Sequence, residues 1–355
     1  MNQNNSISEY LIVGQGLAGS LLYWHLQKMG KTCMVVDSAT GGASMAAAGI
    51  INPMTGRNYV KSWLVDTALP FARQCYENME RDYGKVFYHP LPVWRALHSV
   101  KEENDWLLRT MDPAYDGYAG EIVDGTSVAS FIKNPVRYGK TNGAARVDLP
   151  LLLAAVKQDL ELNQQYVSTS FEIADLQKSG LQWQWQGKLF DKVIFCEGYK
   201  VVHNPYFNYL PFAPAKGNIL MVESKVKNMP FNLRDEYFVT PIGEGKYWIG
   251  SGYRWGEWNT AVNHEDIQKM SAFAASRLAF DFKPIEEKAG IRPSMKTRRP
   301  VLGEHAVHKG LYIFNGLGTK GTSLGPFFAV MMAEHLVNGT EIMEEVNISR
   351  YPFPS

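Results

Sequence analysis

The run Gly14-Gln-Gly16-Leu-Ala-Gly19 stands between a short apolar stretch, residues 10–13, and a segment with Leu17, Leu21, Trp24 and Lys28 at helical spacing. No other feature narrows the possible folds as far. A second apolar stretch, residues 32–36, follows Gly30 and ends at Asp37, so the opening reads as strand, glycine turn, helix and strand, with an acid at the last strand's end. Gly14 permits the tight turn, Gly16 lets the backbone approach a pyrophosphate, and Gly19 lets helix and strand pack closely. The helix N-terminus, at Leu17 and Ala18, offers free amides and a partial positive charge to the phosphates. Asp37 falls near the usual spacing from the glycines. Its carboxylate accepts both hydroxyls of an unphosphorylated ribose and repels a 2′-phosphate. The pattern predicts a dinucleotide site and by itself does not separate FAD from NAD.

Two further buried-type strands come much later: residues 192–196 before Glu197-Gly198, and residues 311–314 before Asn315-Gly316. Between them, residues 181–186, 217–222, 237–240 and 246–255 are aromatic and alternating, as antiparallel strands are. Helical patterns start after Asp148 and after Asn263, and a further helix is expected over residues 327–336. With 355 residues the chain exceeds the usual size of a single core. The expected fold class is α/β plus α+β: a Rossmann-type domain from residues 1–80, 141–210 and 286–355, interrupted by a mostly antiparallel substrate domain, residues 81–140 and 211–285.

The composition, 45% hydrophobic and 20% charged, is that of an ordinary globular enzyme, and the formal charge of +1 supplies no long-range field for nucleic acid or an anionic membrane. Cys33, Cys75 and Cys196 are odd in number and far apart, which argues against a disulfide framework or a thiolate metal site. The polar residues 1–9 do not read as an export signal, no run of about 18 apolar residues occurs, and a cytoplasmic location is expected. Asn4-Asn5-Ser6, Asn338-Gly339-Thr340 and Asn347-Ile348-Ser349 are then chance matches to the glycosylation pattern. Gly321-Thr-Ser323-Leu-Gly325 matches a hydrolase nucleophile elbow. The only later histidine, His335, sits directly beside Glu334, which does not supply the acid and histidine on separate loops that such a triad needs. His305 and His308 lack carboxylates in a metal-site pattern and are expected at the surface.

Three segments together resemble the superfamily of D-amino-acid oxidase, glycine oxidase and sarcosine oxidase. The first is residues 10–37 followed by Gly41-Gly-Ala-Ser44-Met-Ala-Ala-Ala-Gly49. The second is Val193-Ile-Phe-Cys-Glu-Gly198 with Leu210-Pro-Phe-Ala-Pro-Ala-Lys-Gly217. The third is Ala289-Gly-Ile-Arg292-Pro-Ser-Met-Lys-Thr-Arg-Arg-Pro-Val-Leu-Gly303 with residues 311–326 after it. The resemblance spans nearly the whole chain and implies FAD as the cofactor. It places Ser44, Ala47 and Gly49 in a small-residue segment beneath the flavin, where bare backbone lets a flat ring approach and Ser44 can bond to phosphate or ring edge. It also puts Val167 and Gly198 on the cofactor, together with Gly318, Lys320, Gly321 and Thr322. The amides of that last loop and the helix after it point positive dipole toward the ring where negative charge develops on reduction.

For the substrate, the resemblance implies Arg292, whose planar guanidinium can take a carboxylate in bidentate fashion, with Tyr237 and Tyr253 on candidate strands and Arg57 and Arg254 as further cations. Trp248 falls roughly where sarcosine-oxidase-like members carry a lysine linked to oxygen activation. Cys196 is the last cysteine, so the covalent flavin link of some relatives is not expected and FAD is non-covalent. The implied reaction is hydride transfer from the carbon beside a neutral amine of a small amine or amino acid to flavin N5, giving an imine that water hydrolyses. Electrons then pass to oxygen or another acceptor, with neither nucleic acid nor membrane expected as a partner. Alternatives left open at this point are an FAD enzyme acting on an aminomethyl group of tRNA, an NAD-dependent dehydrogenase and a non-catalytic flavin carrier.

Overall fold

A computed structural model describes residues 9–38, 41–133, 136–227 and 229–354. Two compact units emerge, one from residues 1–45, 149–215 and 291–355, the other from residues 46–148 and 216–290. The first opens with β1 (Tyr10–Val13), α1 (Leu17–Lys28) and β2 (Cys33–Asp37). The chain then builds β3 (Val93–Leu97), β4 (Ala119–Asp124) and β5 (Arg137–Thr141) in the second unit. It returns for α2 (Leu149–Leu162), β6 (Tyr166–Ser168) and β7 (Lys192–Phe195). A second excursion makes β8 (Ala215–Glu223), β9 (Asn232–Arg234), β10 (Phe238–Gly243), β11 (Lys246–Gly250), β12 (Arg254–Trp255), α3 (His264–Arg277) and β13 (Lys283–Arg292). The end of the chain supplies β14 (Val301–Glu304), β15 (Leu311–Asn315) and α4 (Gly321–Asn338).

In the first unit the strand order is β6-β2-β1-β7-β15-β14, all neighbours parallel except the last pair. That is the doubly wound order in which nucleotides bind beyond the carboxyl ends of the strands. The strands read as unbroken apolar runs because both faces are covered: Leu11, Ile12, Val35, Val36, Val193 and Ile313 are all fully buried. Burying a side chain of this size contributes about 1.5–3 kcal/mol. α1 packs on α4 through glycine: a Cβ on Gly325 would meet Leu21 at 3.0 Å and one on Gly321 would meet Leu17 at 3.2 Å. α4 begins at Gly321, earlier than the expected residue 327, and takes Pro326 into its interior.

The second unit is organised by a nine-stranded sheet of order β12-β8-β11-β10-β9-β3-β5-β4, with β13 also on β8. Its register assigns the two faces. Leu220 opposes Ile249 and Val222 opposes Tyr247, and these pack with Ile267, Met270, Phe273 and Ala274 of α3. α3 is stopped at its start by Asn263, whose side chain accepts from Asp266 N at 3.1 Å. Met221 opposes Trp248 and Ile219 opposes Gly250 on the other face, where Ile219 and Trp248 pack with Ala46 and Ala48.

Two expectations shift. Residues 46–80 and 141–148 belong to the second unit, not to the nucleotide-binding one, because Ile50–Ile51 pairs with Ala145–Val147, which pairs in turn with Tyr88–Pro90. The alternating stretch at 181–186 forms the strand Gln182–Trp185 of a small separate sheet, whose Trp183 and Trp185 join the core of the first unit.

Candidate functional site

The carboxyl ends of β1, β2, β7 and β15 gather the expected cofactor residues of the first unit. Gly14 has φ 104°, and a Cβ there would stand 2.6 Å from the Cys196 carbonyl oxygen, so only glycine fits between the two strand ends. A Cβ on Gly19 would stand 1.9 Å from the Gly14 carbonyl oxygen, and that closeness sets α1 directly on the turn. Gln15 N donates to Asp37 Oδ2 at 2.8 Å, which ties the acid at the end of β2 to the glycine turn. The Gln15 side chain donates to Ser20 Oγ at 3.1 Å and to the Leu153 carbonyl at 3.0 Å, anchoring the turn from below. The sequence reading missed this residue because a glutamine inside a glycine run carries no pattern.

α1 is preceded by Gly16, which gives no side-chain cap, and has no acid in its first turn, so nothing there repels an anion at its positive end. Ser44 is brought to the same place, its Oγ accepting from Leu17 N at 3.1 Å. Val167 pairs with Val36 and the next residue, Ser168, with Asp37, which sets β6 beside the ribose-side acid. α4 likewise begins uncapped by a side chain at Lys320 and free of acids in its first turn, Gly321 and Thr322 included. Gly198, at φ 60°, presents its carbonyl to Asn315 Nδ2 at 2.9 Å, which joins the ends of β7 and β15. These acid-free helix starts, the bare glycine turn and the strand-end acid fit a diphosphate flanked by a ribose.

Two ionisable groups here are displaced by burial. Glu197, at the end of β7, is pushed up to about 7, although Asn204 Nδ2, donating at 2.8 Å, pulls the other way. Lys320 is pushed down to about 8. Glu197 was not among the expected site residues, since a single acid before a glycine gives no signal until the strand ends are seen together.

Arg292 ends β13, just before the loop that lies against Gly316–Lys320. Ser294 bridges Leu317, Gly318 N donates to the Pro293 carbonyl at 3.3 Å, and Arg292 Nη1 reaches the Ala215 carbonyl at 3.4 Å. In the second unit, Ala47 is exposed on the small-residue segment. Gly49 has φ 74°, and its Cβ position lies 1.9 Å from the Val147 carbonyl oxygen, so the protein's own backbone already demands glycine there. Trp248 Nε1 donates to the Ala46 carbonyl at 2.9 Å, pinning that segment to the sheet. Tyr237 lies on the face covered by α3, its ring 5.3 Å from that of Phe273. Tyr253 is 57% exposed and stacks near Trp255.

Other candidates resolve differently. Arg254 is held by both oxygens of Asp266, at 2.7 and 2.8 Å, and is committed to the fold. Arg57 is exposed. His305 is fully buried rather than at the surface; its Nδ1 accepts from Val307 N and His308 N and its ring sits among Tyr206, Phe207, Tyr209 and Phe353. Among the described residues no cluster could hold a metal ion, Cys33, Cys75 and Cys196 are buried and form no disulfide, and no helix is long and apolar enough to cross a membrane. The tripeptide at Asn4 lies outside the described residues.

A family model described as FAD dependent oxidoreductase matches residues 9–335. The chain belongs to that family. Its cofactor is FAD, and the enzyme is an oxidoreductase. An uncharacterised oxidoreductase of Bacillus subtilis is 25% identical, with 97% of this chain and 98% of that protein covered. A bifunctional tRNA 5-methylaminomethyl-2-thiouridine biosynthesis protein of Shewanella amazonensis is also 25% identical, covering 96% of this chain, which spans 59% of that longer protein's length. Glycine oxidase from Bacillus cereus shares the fold, with a TM-score of 0.80, 20% identity, and coverage of 94% of this chain and 96% of that one.

Proposed function

We propose that this FAD-dependent oxidoreductase oxidises the C–N bond of a small amine or amino acid, with Arg292 binding the substrate carboxylate. The observation that carries the reading is the placement of Arg292-Pro293-Ser294 along the Gly316–Lys320 loop, where a bound carboxylate would be positioned beside the loop proposed to face the flavin. When bound, FAD accepts a hydride from the carbon next to a neutral amine, and the resulting imine is hydrolysed by water. The chain's own residues bind and orient. Gly14, Gly16, Leu17, Ala18, Gly19 and Ser44 hold the diphosphate, Asp37 and Val167 the ribose side, and Gly198, Gly318, Lys320, Gly321 and Thr322 the remainder. The amides at the start of α4 and the Lys320 ammonium favour the reduced, more negative cofactor. Arg292 holds the reacting carbon in one orientation, which is the main contribution a protein makes to such a step.

The test is anaerobic bleaching of the flavin by glycine, sarcosine, D-amino acids and simple amines. Arg292→Ala is expected to raise the KM of a carboxylated substrate at least tenfold, corresponding to about 1.4 kcal/mol or more, and unchanged kinetics would remove it from the site. The likeness to the bifunctional tRNA protein favours a second reading, in which the amine is an aminomethyl group on tRNA; salt-sensitive binding of tRNA would support it. The three buried cysteines, which form no disulfide, fit a reducing compartment, and we place the reaction in the cytoplasm with oxygen or another small acceptor.

A further inference from the structure

We propose that Glu197 must carry a proton for FAD to bind tightly, so that the enzyme holds its cofactor at acidic pH and loosens it as pH rises. This rests on the reading, given above, that the glycine turn after β1 holds the diphosphate. The pairing of the sheet brings Glu197 to that turn. β7 is the parallel neighbour of β1, with Phe195 opposite Val13, and Cys196 N donates to the Val13 carbonyl at 2.8 Å. The two chains therefore leave the sheet side by side, and the Cβ position of Gly14 lies 3.5 Å from the Glu197 α-carbon. A glutamate rooted there keeps its carboxyl group within about 10 Å of the Gly14 α-carbon, a range over which salt leaves charges coupled, the more so where water is excluded.

A carboxylate has the wrong sign for a site that takes two phosphates. Neither α1 nor α4 has an acid in its first turn, and Asp37 accepts from Gln15 N on the ribose side. Glu197 is the exception, and its surroundings hold it in place without fixing its charge. Asn204 is buried, and its Oδ1 accepts from Tyr206 N at 3.0 Å, which leaves Nδ2 to donate to Glu197 Oε2 at 2.8 Å. A neutral amide donor serves the carboxylate and the protonated acid alike. Lys200, exposed on the 3-10 turn Gly198–His203, favours the charged form. The flanking ends of β1 and β15 offer Gly14 and Asn315, which do not titrate, and the adjoining Cys196 thiol is raised by burial. Burial outweighs Asn204 and Lys200 and pushes the Glu197 carboxyl up to about 7. A diphosphate beside it disfavours the ionised form further, as a like charge does.

With the carboxyl at about 7 before binding and higher afterwards, the FAD-bound protein carries more protons and affinity falls as pH rises. Full coupling weakens binding about thirtyfold between pH 6 and pH 8.5. Lys320, pushed down to about 8, adds a slope of the same sign. That slope is shared by wild type and any Glu197 variant, so the ratio of their affinities isolates Glu197.

The experiment is serial dilution of the FAD-loaded enzyme between pH 6 and pH 8.5, with the dissociation constant read from the fluorescence of released flavin. Wild type is expected to bind FAD at least tenfold more weakly at pH 8.5 than at pH 6. Glu197→Gln keeps an acceptor oxygen for Asn204 and cannot ionise; it is expected to match wild type at pH 6 and to bind at least fivefold more tightly than wild type at pH 8.5. Equal affinities of the two proteins at pH 8.5 overturn the proposal. Gly16→Ala tests the placement of the diphosphate separately. Gly16 has φ −74°, and its Cβ position lies 3.6 Å from Ser44 Oγ, so the fold accepts alanine where a diphosphate lying against the turn does not. Unchanged FAD affinity in Gly16→Ala refutes that placement. Weakened binding there, with no difference between wild type and Glu197→Gln at pH 8.5, refutes the role of Glu197 alone.

Discussion

Removing the Asp37 carboxylate is expected to cost the enzyme most of its affinity for FAD. The carboxylate already accepts from Gln15 N at 2.8 Å, so its position is fixed before the cofactor arrives, and little ordering cost falls on binding. A hydrogen bond to a charged group contributes about 1.5–3 kcal/mol. Two ribose hydroxyls donating to one carboxylate are therefore worth about 3–5 kcal/mol, allowing for non-additivity. At 1.4 kcal/mol per factor of ten, Asp37→Ala should weaken FAD binding by roughly two to three and a half orders of magnitude. Asp37→Asn retains one acceptor oxygen and should lose only about tenfold to a hundredfold. The assay is fluorescence titration of the apoprotein with FAD, paired with melting at fixed FAD, where a hundredfold loss in affinity removes about 2.7 kcal/mol of ligand-linked stability at most. If Asp37→Ala binds FAD within threefold of wild type, the ribose role is wrong and the acid serves only to brace the turn.

Gly19→Ala should lower both the melting midpoint and FAD affinity. Alanine gains about 0.8–1 kcal/mol in helix propensity, but a Cβ 1.9 Å from the Gly14 carbonyl oxygen forces α1 off the turn at a cost of about 1–3 kcal/mol; a midpoint above wild type would contradict that contact. Glu197 links stability to pH. Its carboxyl is raised from 4.5 to about 7, so its favourable contribution is full below pH 4.5 and is lost as pH rises to about 7. Glu197→Gln should therefore gain on the order of 2 kcal/mol relative to wild type between pH 5 and pH 8, after discounting for partial exposure, and parallel melting curves for the two proteins across that range would refute the assignment.

The β1-α1-β2 frame was legible because it is local. Gly14, Gly16, Gly19 and Asp37 fall within one β-α-β unit, where glycine spacing and strand ends constrain each other. Glu197 and Gln15 were not legible, since their roles come from strand ends that meet only in the folded sheet. Alternation in residues 237–240 and 246–255 signalled strands correctly but not which side of them α3 would cover; the packing puts Tyr237 on the α3 side and Trp248 on the other. The domain limits failed at residues 46–80 because Ile50–Ile51 is too short a strand to stand out and is recruited by Ala145–Val147.

The sheet that carries the glycine turn is written in three instalments, residues 1–45, 149–215 and 291–355. Its first strand waits for β7, and β7 in turn for Leu311–Asn315. At synthesis rates of about 5–20 residues per second, the nascent chain spends on the order of 6–24 s between completing β7 and completing Leu311–Asn315. Throughout that interval the flank of β7, with Val193, Ile194 and Phe195, lacks its partner and is open to wrong pairing. Nonsense or frameshift lesions that remove Leu311–Asn315 should thus yield aggregates rather than a crippled enzyme, and chaperone supply should limit recovery from heterologous expression.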